Sequence, residues 1–137
     1  MRLGYCCLLD DETRSQTGEK YKVNRKLTAK KASLMYNNQR YNLIKARTRQ
    51  NFKSLYNIML YNSQHNIHMY RVSSEMIVLN NHFLNDYIWH EDDYIINMCE
   101  KIKKFAYNSN IKLSCHPSHY NPIATIHKDK FKIIKKI

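Results

Sequence analysis

Lys112-Leu113-Ser114-Cys115-His116-Pro117-Ser118-His119-Tyr120 joins a short apolar strand to a His-Pro step and then to a polar, aromatic tip. Residues just past the C-terminal end of a strand are where a βα-barrel keeps its chemistry. A histidine in that place is a natural metal ligand, and a tyrosine beside it can stack on a base. What precedes this strand decides whether the setting is a barrel.

Working backwards, Ile95, Met98, Ile102 and Phe105 fall on one face of a helix near 93–107. Asp92 or Asp93 can cap its start, and Asn108 and Asn110 mark its end. A loop from Ser73 to Asp92 comes before it and carries His82 and the single tryptophan, Trp89. Ile67 to Val72 reads as a strand. A longer helix is expected from about Arg40 to Ser63, with Ile44, Phe52, Leu55, Ile58 and Met59 as a stripe at 3–4 spacing. Asn66 can take the left-handed position after its end. Asp10 to about Gln39 is polar and basic, holding Lys20, Lys22, Arg25, Lys26, Lys30 and Lys31. A loop of that length inside a compact domain is either functional or disordered. Arg2 to Leu9 reads as the first strand.

The order is therefore β, loop, α, β, loop, α, β, an α/β pattern. Helix after strand, repeated, predicts parallel strands beginning near Leu3, Met69 and Lys112, with right-handed crossovers and both helices on one face. With two glycines in the chain there is no G-x-G-x-x-G and no P-loop, which argues against a nucleotide-cofactor fold. The alternation matches the first three strands of a TIM (β/α)₈ barrel with two intervening helices. Such barrels run to about 250 residues, so 137 residues make about half of one. Residues 1–127 read as that N-terminal half, and 128–137 as a basic tail or the start of a further helix.

Composition points to a polyanionic partner. Lysine and arginine number 23 against 11 acidic residues, a formal charge of +12. Neutralising phosphates releases counterions, so such an excess favours nucleic acid. Asn, Ile, Lys and Tyr are all abundant and all have A/T-rich codons, so a skewed genome is a second source of lysines. The four cysteines, Cys6, Cys7, Cys99 and Cys115, form no C-x-x-C pair. Two of them lie in apolar strand-like runs, where cysteine acts as a small hydrophobe. A reducing intracellular compartment, cytoplasm or nucleus, is expected. No apolar run approaches the roughly 18 residues of a membrane span, and the start lacks a signal-peptide pattern.

Four segments carry a resemblance to the UV damage endonuclease family. Arg2-Leu3-Gly4-Tyr5-Cys6-Cys7 resembles the family's opening strand. Asn24-Arg25 resembles an N-R pair in the first loop. Asn51 to Ile77, with Tyr70-Arg71-Val72-Ser73-Ser74, resembles its first helix and second strand. His116-Pro117-Ser118-His119-Tyr120 resembles an H-P-G-Q-Y/F motif, with Ser118 and His119 in place of Gly and Gln. The resemblance covers about residues 1–125.

It implies a metal-dependent TIM-barrel nuclease that nicks damaged double-stranded DNA 5′ to a lesion. His82 and His116 match ligand histidines after the second and third strands. The implied cofactor is a divalent metal, Mn above Zn or Mg. His119 and Tyr120 match the pair pushed into the duplex at a lesion, and Tyr5, Asn24 and Arg25 match positions near the DNA. His82, His116, His119 and Tyr120 are expected to converge at the strand C-termini. The family's later carboxylate and histidine ligands have no counterpart here, and Glu75, Glu91, Asp92 and Asp93 read as loop and cap residues. Several readings stay open: a repair nuclease, half of a split nuclease completed by a second chain, a basic DNA-binding remnant without catalysis, and a sugar-isomerase-type barrel fragment.

Overall fold

The computed structural model describes residues 4–6 and 20–115. Three short strands, β1 (Gly4–Cys6), β2 (Met69–Val72) and β3 (Lys112–Cys115), form one sheet in the order β1-β2-β3. Both pairings are parallel. Tyr5 lies opposite Tyr70, and Tyr70 opposite Leu113. Parallel neighbours need a crossover, and helices supply it: α2 (Asn37–Gln64) between β1 and β2, and α3 (Asp93–Asn108) between β2 and β3. The expected alternation and strand positions are found.

The ends of these helices follow from local chemistry. Asp92 caps α3, its carboxylate accepting the Tyr94 N–H at 2.9 Å. Asn66 and Asn110, just past the two helices, both take left-handed backbone, with φ of 55° and 52°, where asparagine is among the best-tolerated residues after glycine. The Ile67 and Ile111 N–H groups then close back onto the Asn62 and Ala106 carbonyls at 2.9 Å each. Orphan carbonyls at both helix ends are thereby satisfied.

Gly4 is required by strand spacing. A Cβ there would lie 2.5 Å from the Met69 Cβ, closer than two carbons can approach. Tyr5 and Tyr70 share the sheet face that meets the helices, and Tyr70 is 1% exposed. The opposite face carries Gly4, Met69, Arg71, Lys112 and Ser114, all exposed. Cys115 is also exposed, on a strand that is an edge of the sheet among the described residues.

At 1.5 Å per residue, the 28 residues of α2 span about 42 Å. A four-residue strand spans about 13 Å. The C-terminus of α2 leads into the start of β2, so its N-terminal half runs well past the C-terminal ends of the strands. Two cores result. The first joins the sheet, α3 and the C-terminal half of α2 through Tyr70, Phe52, Leu55, Ile58, Met59, Ile95 and Ile102. The second surrounds Ile44 on the protruding half of α2 with Leu27, Ala32, Val78 and Tyr87.

The second core corrects the reading of residues 10–39 as one long loop. Within its described part, Ala29–Ser33 forms a short helix, α1, capped by the Thr28 hydroxyl, and α2 begins at Asn37. Ala32 is fully buried, so what fixes α1 is its place in the second core, beside residues as distant in sequence as Val78 and Tyr87.

Candidate nucleic-acid and metal site

Both loops at the C-terminal side of the strands are fastened to α2 by buried polar side chains. Asn51 is fully buried. Its Oδ1 accepts the Arg25 N–H at 3.0 Å, and its Nδ2 donates to the Arg25 carbonyl at 3.4 Å and the Met76 carbonyl at 3.0 Å. One amide thus ties residue 25 of the first loop to residue 76 of the second. A turn further back, Thr48 Oγ1 accepts the Val78 N–H at 3.3 Å. Buried amides and hydroxyls are stable in an apolar layer only when their partners are supplied in this way.

The second loop, 73–92, closes on itself. Leu79 and Asn81 adopt positive φ, and the Asn85 side-chain amide donates to the Val78 and Leu79 carbonyls at 3.2 Å each. Its far end is pinned electrostatically. Arg49 on α2 donates two hydrogen bonds to the Asp92 carboxylate, at 2.9 and 2.8 Å, and Tyr87 Oη donates a third at 2.5 Å. Arg49 also lies over the Tyr94 ring at 5.1 Å. The Arg49 hydrogen bonds hold the Asp92 carboxyl well below the usual carboxylate range, outweighing burial, which pushes it up. Burial first, and Asp92 second, hold the Tyr87 hydroxyl above its usual range.

His82 sits half-buried in the tight turn of this loop. Its Nδ1 accepts the Leu84 N–H at 3.1 Å, and its ring stacks on Phe83 at 4.5 Å. With Nδ1 accepting, the neutral ring carries its proton on Nε2. Coordination through Nε2 requires that proton to move to Nδ1 and the Leu84 bond to break. Among the described residues no three His, Cys, Asp or Glu side chains gather closely enough to hold a metal. The described residues therefore do not by themselves fit a metal centre.

Tyr5 points from β1 into the helical layer. Its hydroxyl donates to Asn62 Oδ1 at 2.7 Å, and its ring meets Tyr70 edge-on at 5.2 Å. Burial pushes that hydroxyl up to about 12. Asn24 is half-buried beside Val23, which is fully buried. The Arg25 guanidinium donates to the Lys22 carbonyl and to Ser54 Oγ. The structure thus places Arg25 against α2, Asn24 beside it in the first loop and His82 in the second loop. His116, His119 and Tyr120 lie outside the described residues.

Sequence reading passed over Arg49, Thr48 and Asn51. The signal for the last two was present: polar residues at 48 and 51 fall in phase with the apolar stripe through Ile44, Phe52, Leu55 and Ile58. Among the described residues no helix is long and apolar enough to cross a membrane.

Comparison with known proteins bears on this arrangement. A curated UV DNA damage endonuclease from Clostridium perfringens (strain 13 / Type A) is 34% identical over 91 residues, which are 66% of this chain and 22% of that protein. The crystal structure of SacUVDE superposes with a TM-score of 0.72 at 20% identity, covering 98% of this chain and 41% of that one. That likeness speaks to the fold. The chain thus spans between about a fifth and two-fifths of the length of these relatives. The family model described as UV-endonuclease UvdE matches residues 1–134, which includes every candidate site residue, and the chain belongs to that family.

Proposed function

We propose that this chain carries the N-terminal part of a DNA repair endonuclease site that nicks damaged duplex DNA 5′ to the lesion. The family match over residues 1–134 is the observation that carries this reading. The fold proposed with it is the first three strands of a (β/α)₈ barrel over residues 1–127. The exposed sheet face with Met69 and Arg71 supports it, since that face would line the interior of a closed barrel.

His82 and His116 are proposed as ligands of a divalent metal, Mn above Zn or Mg, which in phosphodiester hydrolysis supplies an activated water and stabilises the leaving oxygen. Imidazole suits such metals, and carboxylates complete their shells. His119 and Tyr120 are proposed as the pair that probes the lesion, an aromatic face replacing stacking lost in the opened duplex. Tyr5, Asn24 and Arg25 support the DNA-binding side, Tyr5 through the sheet that it packs. Two histidines leave a metal short of ligands, so this 137-residue chain alone binds damaged DNA and cleaves it poorly or not at all.

The assay is Mn-dependent nicking of UV-irradiated against unirradiated supercoiled plasmid, with His116→Ala beside it. The expected result is little or no nicking by the chain alone. Robust nicking of irradiated plasmid that disappears in His116→Ala would show that these residues build a complete site.

A further inference from the structure

A groove of about 440 Å³ runs along the flank of α2, between that helix and residues 20–25 of the first loop. Lys20, Arg25, Gln50, Lys53, Ser54 and Asn57 line it. Three of these are cations, three are neutral hydrogen-bonding groups, and none is acidic among the described residues. A second concavity, around Arg49 and Tyr87, carries the four carboxylates of Asp86, Glu91, Asp92 and Asp93 against the cations Lys45 and Arg49. The two differ in kind: an anionic ligand is favoured in the first and repelled by the second.

The groove is also held in shape before any ligand arrives. Asn57 Nδ2 donates to the Lys20 carbonyl at 3.0 Å. The Lys20 ammonium lies over the Tyr21 ring at 5.3 Å, and that ring meets Tyr61 of α2 edge-on at 5.8 Å. Arg25 is fixed at its backbone by buried Asn51 and at its guanidinium by Ser54 Oγ, 3.1 Å away. Lysine side chains elsewhere on the surface lose rotamer freedom on binding; anchoring of the loop reduces the ordering cost here.

We propose that this groove is a phosphate-backbone contact for duplex DNA, with Lys20 and Lys53 as the ion-pairing residues and Arg25 as the oriented donor. It rests on the nucleic-acid reading above and lies on the flank of α2, with a lining that does not include His82. It carries affinity without damage specificity, as contacts to phosphates do.

The test measures binding of the full chain to an undamaged fluorescent duplex of about 20 base pairs by anisotropy, over a salt series. Each phosphate contact contributes close to one unit to the slope of log K against log salt. Lys20→Gln with Lys53→Gln should flatten the slope by about two units. Lys103→Gln with Lys104→Gln, an equal loss of charge on the exposed face of α3, should change it by clearly less. Equal flattening in both pairs, or none in the first, overturns the groove while leaving DNA binding intact. Failure of the unaltered chain to bind at low salt overturns the nucleic-acid reading with it. A second readout needs no variant: acetylation of the DNA-bound chain should spare Lys20 and Lys53 relative to Lys103 and Lys104, and equal modification of all four contradicts the site.

Discussion

At the scale of single residues, Asp92 shows how one carboxylate can serve two elements. It caps α3 through Tyr94 and receives Arg49 and Tyr87 from the opposite side. Asp92→Asn keeps an oxygen for the cap and loses the charge that holds Arg49. The expected cost is about 1–2 kcal/mol in urea unfolding at pH 7, toward the low end for a charged hydrogen bond, because the Arg49 side chain is 37% exposed and water screens it. Arg49→Ala leaves the buried carboxylate without its cation and should cost more, about 3 kcal/mol. The pH dependence has a definite sign. Because the folded carboxyl titrates below its ordinary range, its stabilisation is complete above the unfolded pKa near 3.9. It is lost as pH falls from there through the folded value. The unaltered chain should therefore lose stability more steeply than Asp92→Asn between about pH 4 and pH 2. Parallel curves would mean that Asp92 is solvated. Asn51 offers a second residue-scale test. Asn51→Ala strands the Arg25 N–H and the Met76 carbonyl, at a cost of about 2–4 kcal/mol. Amide exchange should then quicken at residues 23–27 and 76–78 together; an effect confined to one loop would deny that this amide joins them.

At the scale of elements, the close approach of β1 to β2 is the most exposed to test. Gly4→Ala forces a Cβ onto Met69 and should destabilise by about 2–3 kcal/mol, the usual cost of overpacking. Adding Met69→Gly removes the nearest clash, so the double variant should be more stable than the sum of the single effects. Strict additivity would contradict the register Gly4↔Met69. The elements themselves were legible in the sequence. The stripe from Ile44 to Met59, the Asn66 and Asn110 stops and the Asp92 cap follow from local spacing and backbone preference, and all are found. Thr48 and Asn51 were legible only as anomalies, polar residues on an apolar face. Their partners were not legible, since Asn51 reaches Arg25 across 26 positions and Thr48 reaches Val78 across 30. For the same reason α1 was missed: five residues, Ala29–Ser33, have too little periodicity to show, and what stabilises them is the second core. His82 was legible as a loop histidine, but not its acceptor role toward Leu84, which depends on the turn made by Leu79 and Asn81.

At the scale of the whole molecule, α2 sets the arrangement. It is about three times as long as a strand of this sheet needs, and its surplus carries the two loops proposed to meet DNA and metal. A scaffold of this kind keeps functional loops on a rigid support. With its net charge of +12 the chain is proposed to bind DNA, and the sharpest consequence of that proposal is that damaged duplex is distinguished from intact duplex. Fluorescence anisotropy with one duplex carrying a single UV photoproduct and an identical undamaged duplex, at matched salt with Mn present, measures that directly. Tighter binding to the damaged duplex is expected, with the preference lost and undamaged binding retained in Tyr120→Ala. Equal affinity for the two duplexes, or a preference that Tyr120→Ala leaves intact, would contradict it.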